Sequence, residues 1–152
     1  MHEFKYGEPL IDADAILAAF EQRHGIVLPT SYKSAVREND GDYPKPASCL
    51  IYDFVRERSI PIACDRLIPF GGGEMDQVCQ PEAIAMLPDH ILPFGEEAGG
   101  LVFAFDYRGE ICAEGPPVVL FVPDYAPDNS ILPVAASFED FLAGLSLSTP
   151  RP

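Results

Sequence analysis

Two helical segments, a series of short β-rich runs joined by tight turns, and a closing helical segment predict an α+β domain. Its helices are expected on one side of a twisted, mainly antiparallel sheet. Three features lead there. The first is a helix, Gly25, an apolar triplet, Pro29 and a second helix, in that order, over residues 12–39. The second is residues 101–105, where Leu101, Phe103 and Phe105 fall on one parity and Val102 and Ala104 on the other, so a strand there is covered on both faces and central. The third is the brevity of the later connections, since parallel strands need long crossovers and antiparallel ones do not. At 152 residues the chain fits one compact domain. Residues 1–10 read as its lead-in, frayed or adding an edge strand, and residues 146–152 as a polar tail.

Asp12 is placed as the N-cap of an Ala-rich first helix whose apolar face is Ile16, Leu17 and Phe20, and Gly25 ends it. Pro29 suits the start of the second helix, because its missing amide hydrogen would lack a partner there anyway. That helix turns Tyr32, Ala35 and Val36 inward and stops at Asn39-Asp40-Gly41. Residues 42–47 read as a Pro-rich loop. Residues 49–55 read as a strand with Leu50, Tyr52 and Phe54 on one face and Ile51 and Val55 on the other. A turn over 56–59 leads to a second strand within 60–70, interrupted at Pro61. Gly71-Gly72-Gly73 reads as a flexible loop and residues 80–86 as a short helix with Pro81 in its first turn.

Pro93 and Gly95 read as a turn, and Glu96 to Gly100 as a loop feeding the central strand. Asp106-Tyr107-Arg108-Gly109 reads as a hairpin turn with a local ion pair, leading into Ile111. Residues 118–122, bounded by prolines, are the second central-strand candidate. Residues 124–130 form an exposed loop and 131–135 a last short strand. Ser137 then caps a helix that places Phe138, Phe141, Leu142 and Leu145 on one face.

Charge is the strongest compositional feature: 24 acids against 10 bases, a formal net charge of -14 and a pI near 4.3. From Leu67 onward the only bases are Arg108 and Arg151. Such a field repels nucleic acid and anionic membranes and speeds encounter with basic partners. No apolar run approaches the roughly 20 residues of a membrane-spanning helix, and the N-terminus lacks a signal-peptide pattern, so a cytoplasmic protein is expected. Cys49, Cys64, Cys79 and Cys112 show no ligand-like spacing, which argues for packed thiols rather than a metal site.

No cofactor motif is present: Gly71-Gly72-Gly73-Glu74 is followed by acids instead of the Lys-Ser/Thr of a phosphate loop. Glu96 and Glu97 are adjacent rather than opposed, unlike a general acid/base pair. His2, His24 and His90 are far apart, with no nucleophile in a recognisable setting, so no catalytic residue is assigned and an enzyme is not expected. His24, in the last turn of the first helix, is placed where the helix dipole favours a positive imidazole. Loops carry recognition on a rigid scaffold, which makes Asp42, Tyr43, Glu74, Asp76, Glu96, Glu97, Asp124, Tyr125 and Asp128 the candidate partner contacts.

Four stretches in this order resemble the SUKH superfamily, which includes the yeast cell-wall-assembly regulator and many bacterial immunity proteins. They are FEQRHGIVLPTSY from Phe20, the Asn39-Asp40-Gly41 element, LPFGEEAGG with FAFDYRG, and SFEDFLAGL. The resemblance implies a binding module without catalytic residues, cytoplasmic, whose partner is a cognate protein toxin. A nuclease is the toxin class that fits best, since a site holding phosphates is basic. The alternative is a cytosolic scaffold or regulatory module of the same fold with an endogenous partner.

Overall fold

The computed structural model describes residues 3–5, 8–45 and 47–145, without the side chains of residues 3–5, Tyr43 and Lys45. The tail expected over 146–152, the other residues before Glu8, and Pro46 lie outside the described residues. The lead-in supplies strand β1 (Glu3–Lys5), and helices α1 (Ala13–His24) and α2 (Thr30–Glu38) follow.

Both helix boundaries at the junction fall where the sequence places them. Gly25 is left-handed at φ 65° and its amide donates to the Glu21 carbonyl, while Pro29 immediately precedes α2. The Asp12 cap is not made: its backbone is left-handed at φ 58° and its side chain accepts no amide. A capping side chain needs an extended backbone to reach over the first turn. Glu21 joins the two helices, its Oε2 accepting the Leu28 amide at 2.7 Å and Lys33 Nζ at 3.2 Å.

The segment expected as a Pro-rich loop contains strand β2 (Tyr43–Lys45), antiparallel to β1 with Pro44 opposite Phe4. In a two-stranded ribbon a proline can occupy the edge without breaking an inner ladder. Strands β3 (Ser48–Asp53) and β4 (Arg58–Ala63) make an antiparallel hairpin, with Leu50 opposite Pro61 and Tyr52 opposite Ser59. The expected second strand over 60–70 is in fact β4 plus the short β5 (Arg66–Leu67).

Strand β5 then pairs with β6 (Ile91–Glu96), β6 with β7 (Val102–Asp106), β7 with β8 (Val118–Phe121), and β8 with β9 (Ile131–Ala135). All four pairings are antiparallel and sequential. Strand β7 is the middle of the five, as its two-sided apolar pattern predicts.

Three expectations in this half are corrected. Pro93 and Gly95 lie within β6 rather than in a turn, and the register shifts between them. Pro93 lacks a donor and the bulge absorbs that loss. Gly95 is needed because a Cβ there would stand 3.1 Å from Cys64 Sγ and 3.3 Å from the Arg66 carbonyl.

Residues 80–86 form turns, not a helix, with Glu82 and Met86 at positive φ of 66° and 67°. The helix comes earlier, as a 3-10 turn (Gly71–Gly73) running into α3 (Glu74–Val78). Its entry is fixed by Asp40, whose carboxylate accepts the Phe70 and Gly71 amides at 2.8 and 2.7 Å.

The Asp106 turn does not lead straight into a strand at Ile111. Residues 107–117 make an excursion before β8, and Tyr107 donates its hydroxyl to the Val27 carbonyl at 2.7 Å. The local ion pair is present, Arg108 donating to both Asp106 oxygens at 3.0 and 2.9 Å.

Helix α4 (Phe138–Ala143) starts at Ser137, whose Oγ accepts the Asp140 amide at 3.1 Å. Phe20, Tyr32, Val36, Phe138 and Phe141 from α1, α2 and α4 share one core with Phe94, Phe103, Phe105, Val118 and Leu120 of the sheet. The helices therefore cover one face. On the other, Ile91, Ala104 and Val119 pack with Leu87 and Ile131. At the centre, Tyr32 touches Phe70, Phe94, Phe105 and Phe138, with ring centroids 5.0 to 6.4 Å away. Its hydroxyl is buried and has no hydrogen-bond partner among the described residues.

Candidate partner-binding surface

The acidic loops resolve into two groups. In the first, Arg66 of β5 reaches two carboxylates at once, donating to Glu74 at the start of α3 and to Glu96 at the end of β6. Asp76, two residues along α3, pairs with Arg23 of α1 at 2.6 Å. Glu97 points away from Glu96: its Oε1 accepts the Gly99 and Leu101 amides at 2.7 and 3.3 Å, and Asp65 accepts the Ala98 amide at 2.6 Å. The Glu96–Glu97 pair is thus split between an ion pair and a turn. Neither acid faces the other across a cleft as acid/base work requires.

The second group surrounds a residue that did not stand out in the sequence. Asp53 ends β3 on the same face as Cys49 and Ile51 and is 1% exposed. Its Oδ1 accepts the Val55 and Arg56 amides at 2.9 and 3.0 Å, and its Oδ2 accepts the Tyr125 hydroxyl. Burial would raise its pKa, but Tyr125 and the two amides outweigh it and hold the carboxyl below the usual carboxylate range. The bond to Asp53 in turn raises the Tyr125 pKa. The signal was an acid on the inward parity of an apolar strand, immediately before a turn. Asp124 and Asp128 flank Tyr125, are exposed, and make no ion pair among the described residues.

Asp42 is 2% exposed, beneath the surface, with its carbonyl accepting the Leu67 amide. Tyr43 belongs to β2 and its side chain lies outside the described residues. The structure therefore brings Glu74 and Glu96 together through Arg66, ties Tyr125, between the exposed Asp124 and Asp128, to Asp53 at the end of β3, and buries Asp42 with its carbonyl on Leu67, the residue after Arg66.

Sequence reasoning also missed an apolar surface. Leu50 and Tyr52 are 61% and 54% exposed on the outer face of β3, and Phe54 and Val55 continue the exposure through the turn. The alternation correctly put Leu50, Tyr52 and Phe54 on one face. Only the tertiary arrangement decides that no described residue covers it.

The described histidines and thiols do not form a reactive set. His24 packs tilted against Phe20 at 4.2 Å between ring centroids, and burial lowers its pKa despite the opposing pull of Asp76. Desolvation thus overrides the positive imidazole expected at a helix end. Cys79, beside a cavity of about 180 Å³ lined by His24, His90 and Tyr107, is pushed up to about 12 by burial, and Cys49 to about 11. Both stay protonated at neutral pH. Among the described residues no three His, Cys, Asp or Glu side chains converge as a metal site requires. No helix among them is long and apolar enough to cross a membrane.

A family model described as the SMI1 / KNR4 family (SUKH-1) matches residues 12–144, from the residue before α1 through the end of α4. No curated protein matches the sequence.

Proposed function

This chain belongs to the SMI1 / KNR4 family (SUKH-1), and we propose that it is an immunity-type binding protein that neutralises a cognate bacterial toxin by covering it, without turnover of its own. A nuclease is the toxin class that its charge suits, because a phosphate-holding site is basic. The observation that carries this reading is the distribution of charge. The net charge is -14, only Arg108 and Arg151 are basic after Leu67, and Arg108 is tied to Asp106. An acidic surface of this kind accelerates and selects encounter with a basic partner, while tight binding needs an apolar or aromatic anchor besides.

The test is to capture the tagged protein from its native cytoplasm at low salt and identify what co-purifies. A basic toxin domain that kills cells unless this protein is present is the expected result, with association slowed about tenfold or more as salt rises. An endogenous, non-toxic partner would replace this reading with that of a cytosolic scaffold or regulatory module.

A further inference from the structure

We propose that the outer face of the β3–β4 hairpin is the docking surface for a basic protein partner, with Leu50, Tyr52 and Phe54 as the anchor and Asp124 and Asp128 as an acidic rim. The inference rests on the chain being a binding protein and assigns the face that such a protein would use. Four of the eight exposed large hydrophobics among the described residues lie on this hairpin: Leu50, Tyr52, Phe54 and Val55. A strand whose inner residues are buried and whose outer ones are aromatic and aliphatic has an open second face. Contiguous exposed apolar surface with a polar border is the mark of a protein interface.

Three features narrow the mode and the partner. Pro61 sits in β4 opposite Leu50, and proline has no amide to donate, so the free edge of the hairpin is blunted against strand addition. Docking is therefore through side chains on the face. The Tyr125–Asp53 bond ties the loop that carries Asp124 and Asp128 to the end of β3, which holds its acids near the anchor strand before a partner arrives.

Charge then selects the partner. On the hairpin itself Arg56 lies 3.9 Å from Asp53, and Glu57 stands beside Arg58, so its own charges offset one another. Asp124 and Asp128, on the loop that Tyr125 ties to β3, add an exposed acidic excess. A partner with an apolar socket bordered by lysine or arginine complements this pattern. A second copy would bring another chain of net charge -14.

The test places a photo-reactive benzoyl-phenylalanine at Tyr52 or, as control, at the exposed Val27 of the full-length protein in its native cytoplasm. The captured protein is then purified and its affinity measured for the parent chain, for the Leu50→Ser/Tyr52→Ser variant and for Asp124→Asn/Asp128→Asn. The expected result is capture of a basic protein from position 52 and not 27. Its binding should fall about tenfold or more in the first variant, and less, with a weaker salt dependence, in the second. Both variants alter exposed side chains, and unchanged thermal melts confirm that they fold.

A toxin as the captured species supports both this surface and the proposed function. A basic non-toxic protein meeting the same binding criteria supports the surface and removes the toxin reading. The surface is refuted by a partner captured from 27 alone, by no capture, by capture of a second copy or an acidic protein, or by full affinity in the Leu50→Ser/Tyr52→Ser variant.

Discussion

In the five-stranded sheet, Phe103 and Phe105 of β7 lie against the helices and Val102 and Ala104 lie on the opposite face, all four buried. In the β3–β4 hairpin, Cys49 and Ile51 are buried, while Leu50 and Tyr52, on the other parity, are open to solvent. Both strands carry apolar residues on both parities, so composition does not separate them. What separates them is what lies alongside: β7 has a strand on each side, helices over one face and Leu87 with Ile131 over the other. Among the described residues, strand β3 has one hydrogen-bonded partner strand and a single covered face. An apolar second face means burial in the middle of a sheet and recognition at its margin.

The largest test of that contrast is Phe94→Ala. Phe94 is fully buried and packs on Tyr32, Phe105, Phe138 and Phe141, so its loss should cost about 3–5 kcal/mol by chemical denaturation. A loss under about 1 kcal/mol would mean that the aromatic core is not where the stability lies.

Ala104→Leu probes the less populated face of the same sheet, where Ala104 is fully buried beside Ile91 and Val119. Overpacking there should cost about 1–3 kcal/mol. No effect would show that this face is open in the way the hairpin's is. Tyr32→Phe should stabilise the protein by about 1 kcal/mol, since it removes a buried hydroxyl without a partner among the described residues and keeps the ring contacts. A loss of stability would reveal a hydrogen bond for that hydroxyl.

By contrast, Leu50→Ser with Tyr52→Ser on the hairpin should change stability by no more than about 0.5 kcal/mol each. A larger loss would mean the face is structural and would erase the contrast with β7.

A pH-dependent effect is expected at the seam between the two regions, from Tyr125→Phe. Asp53 titrates below the usual carboxylate range because Tyr125 and two amides favour its ionised form against burial. Its contribution to stability is therefore present above the unfolded pKa and lost as pH falls through the folded one. Removing the Tyr125 hydroxyl should move the Asp53 titration upward and bring acid unfolding on at a higher pH. A carboxyl-carbon NMR titration in which Asp53 does not move would show that the bond is not formed.

Elements whose signals are local were legible in the sequence. Gly25, Pro29 and Ser137 mark helix ends through backbone rules that act within one turn, and the two-sided pattern of residues 101–105 identified the central strand. The misreadings lie where tertiary contacts override local preference. Pro93 and Gly95 look like a turn, but β5 and β7 flank that segment and hold it as a strand. The apolar residues of 80–86 suggest a helix, but the left-handed Glu82 and Met86 are incompatible with one.

The candidate site was legible in part for the same reason. Exposed acids in loops such as Asp124 and Asp128 can be read directly. The buried Asp42, the keystone Asp53 and the bare face of β3 depend on residues distant in the chain.

The position of Tyr32 bears on how the molecule is made. Its ring is enclosed by Phe94 and Phe105 from the sheet and by Phe138 from α4, more than a hundred residues further along. During synthesis α1 and α2 leave the ribosome before the sheet and α4, and Leu17, Phe20, Tyr32 and Val36 then have only each other's helices to pack on. Helices of 12 and 9 residues are marginal without a further surface. The nascent chain therefore carries its stickiest face uncovered until the closing helix emerges, and this is the interval in which holding chaperones or premature association would decide its yield.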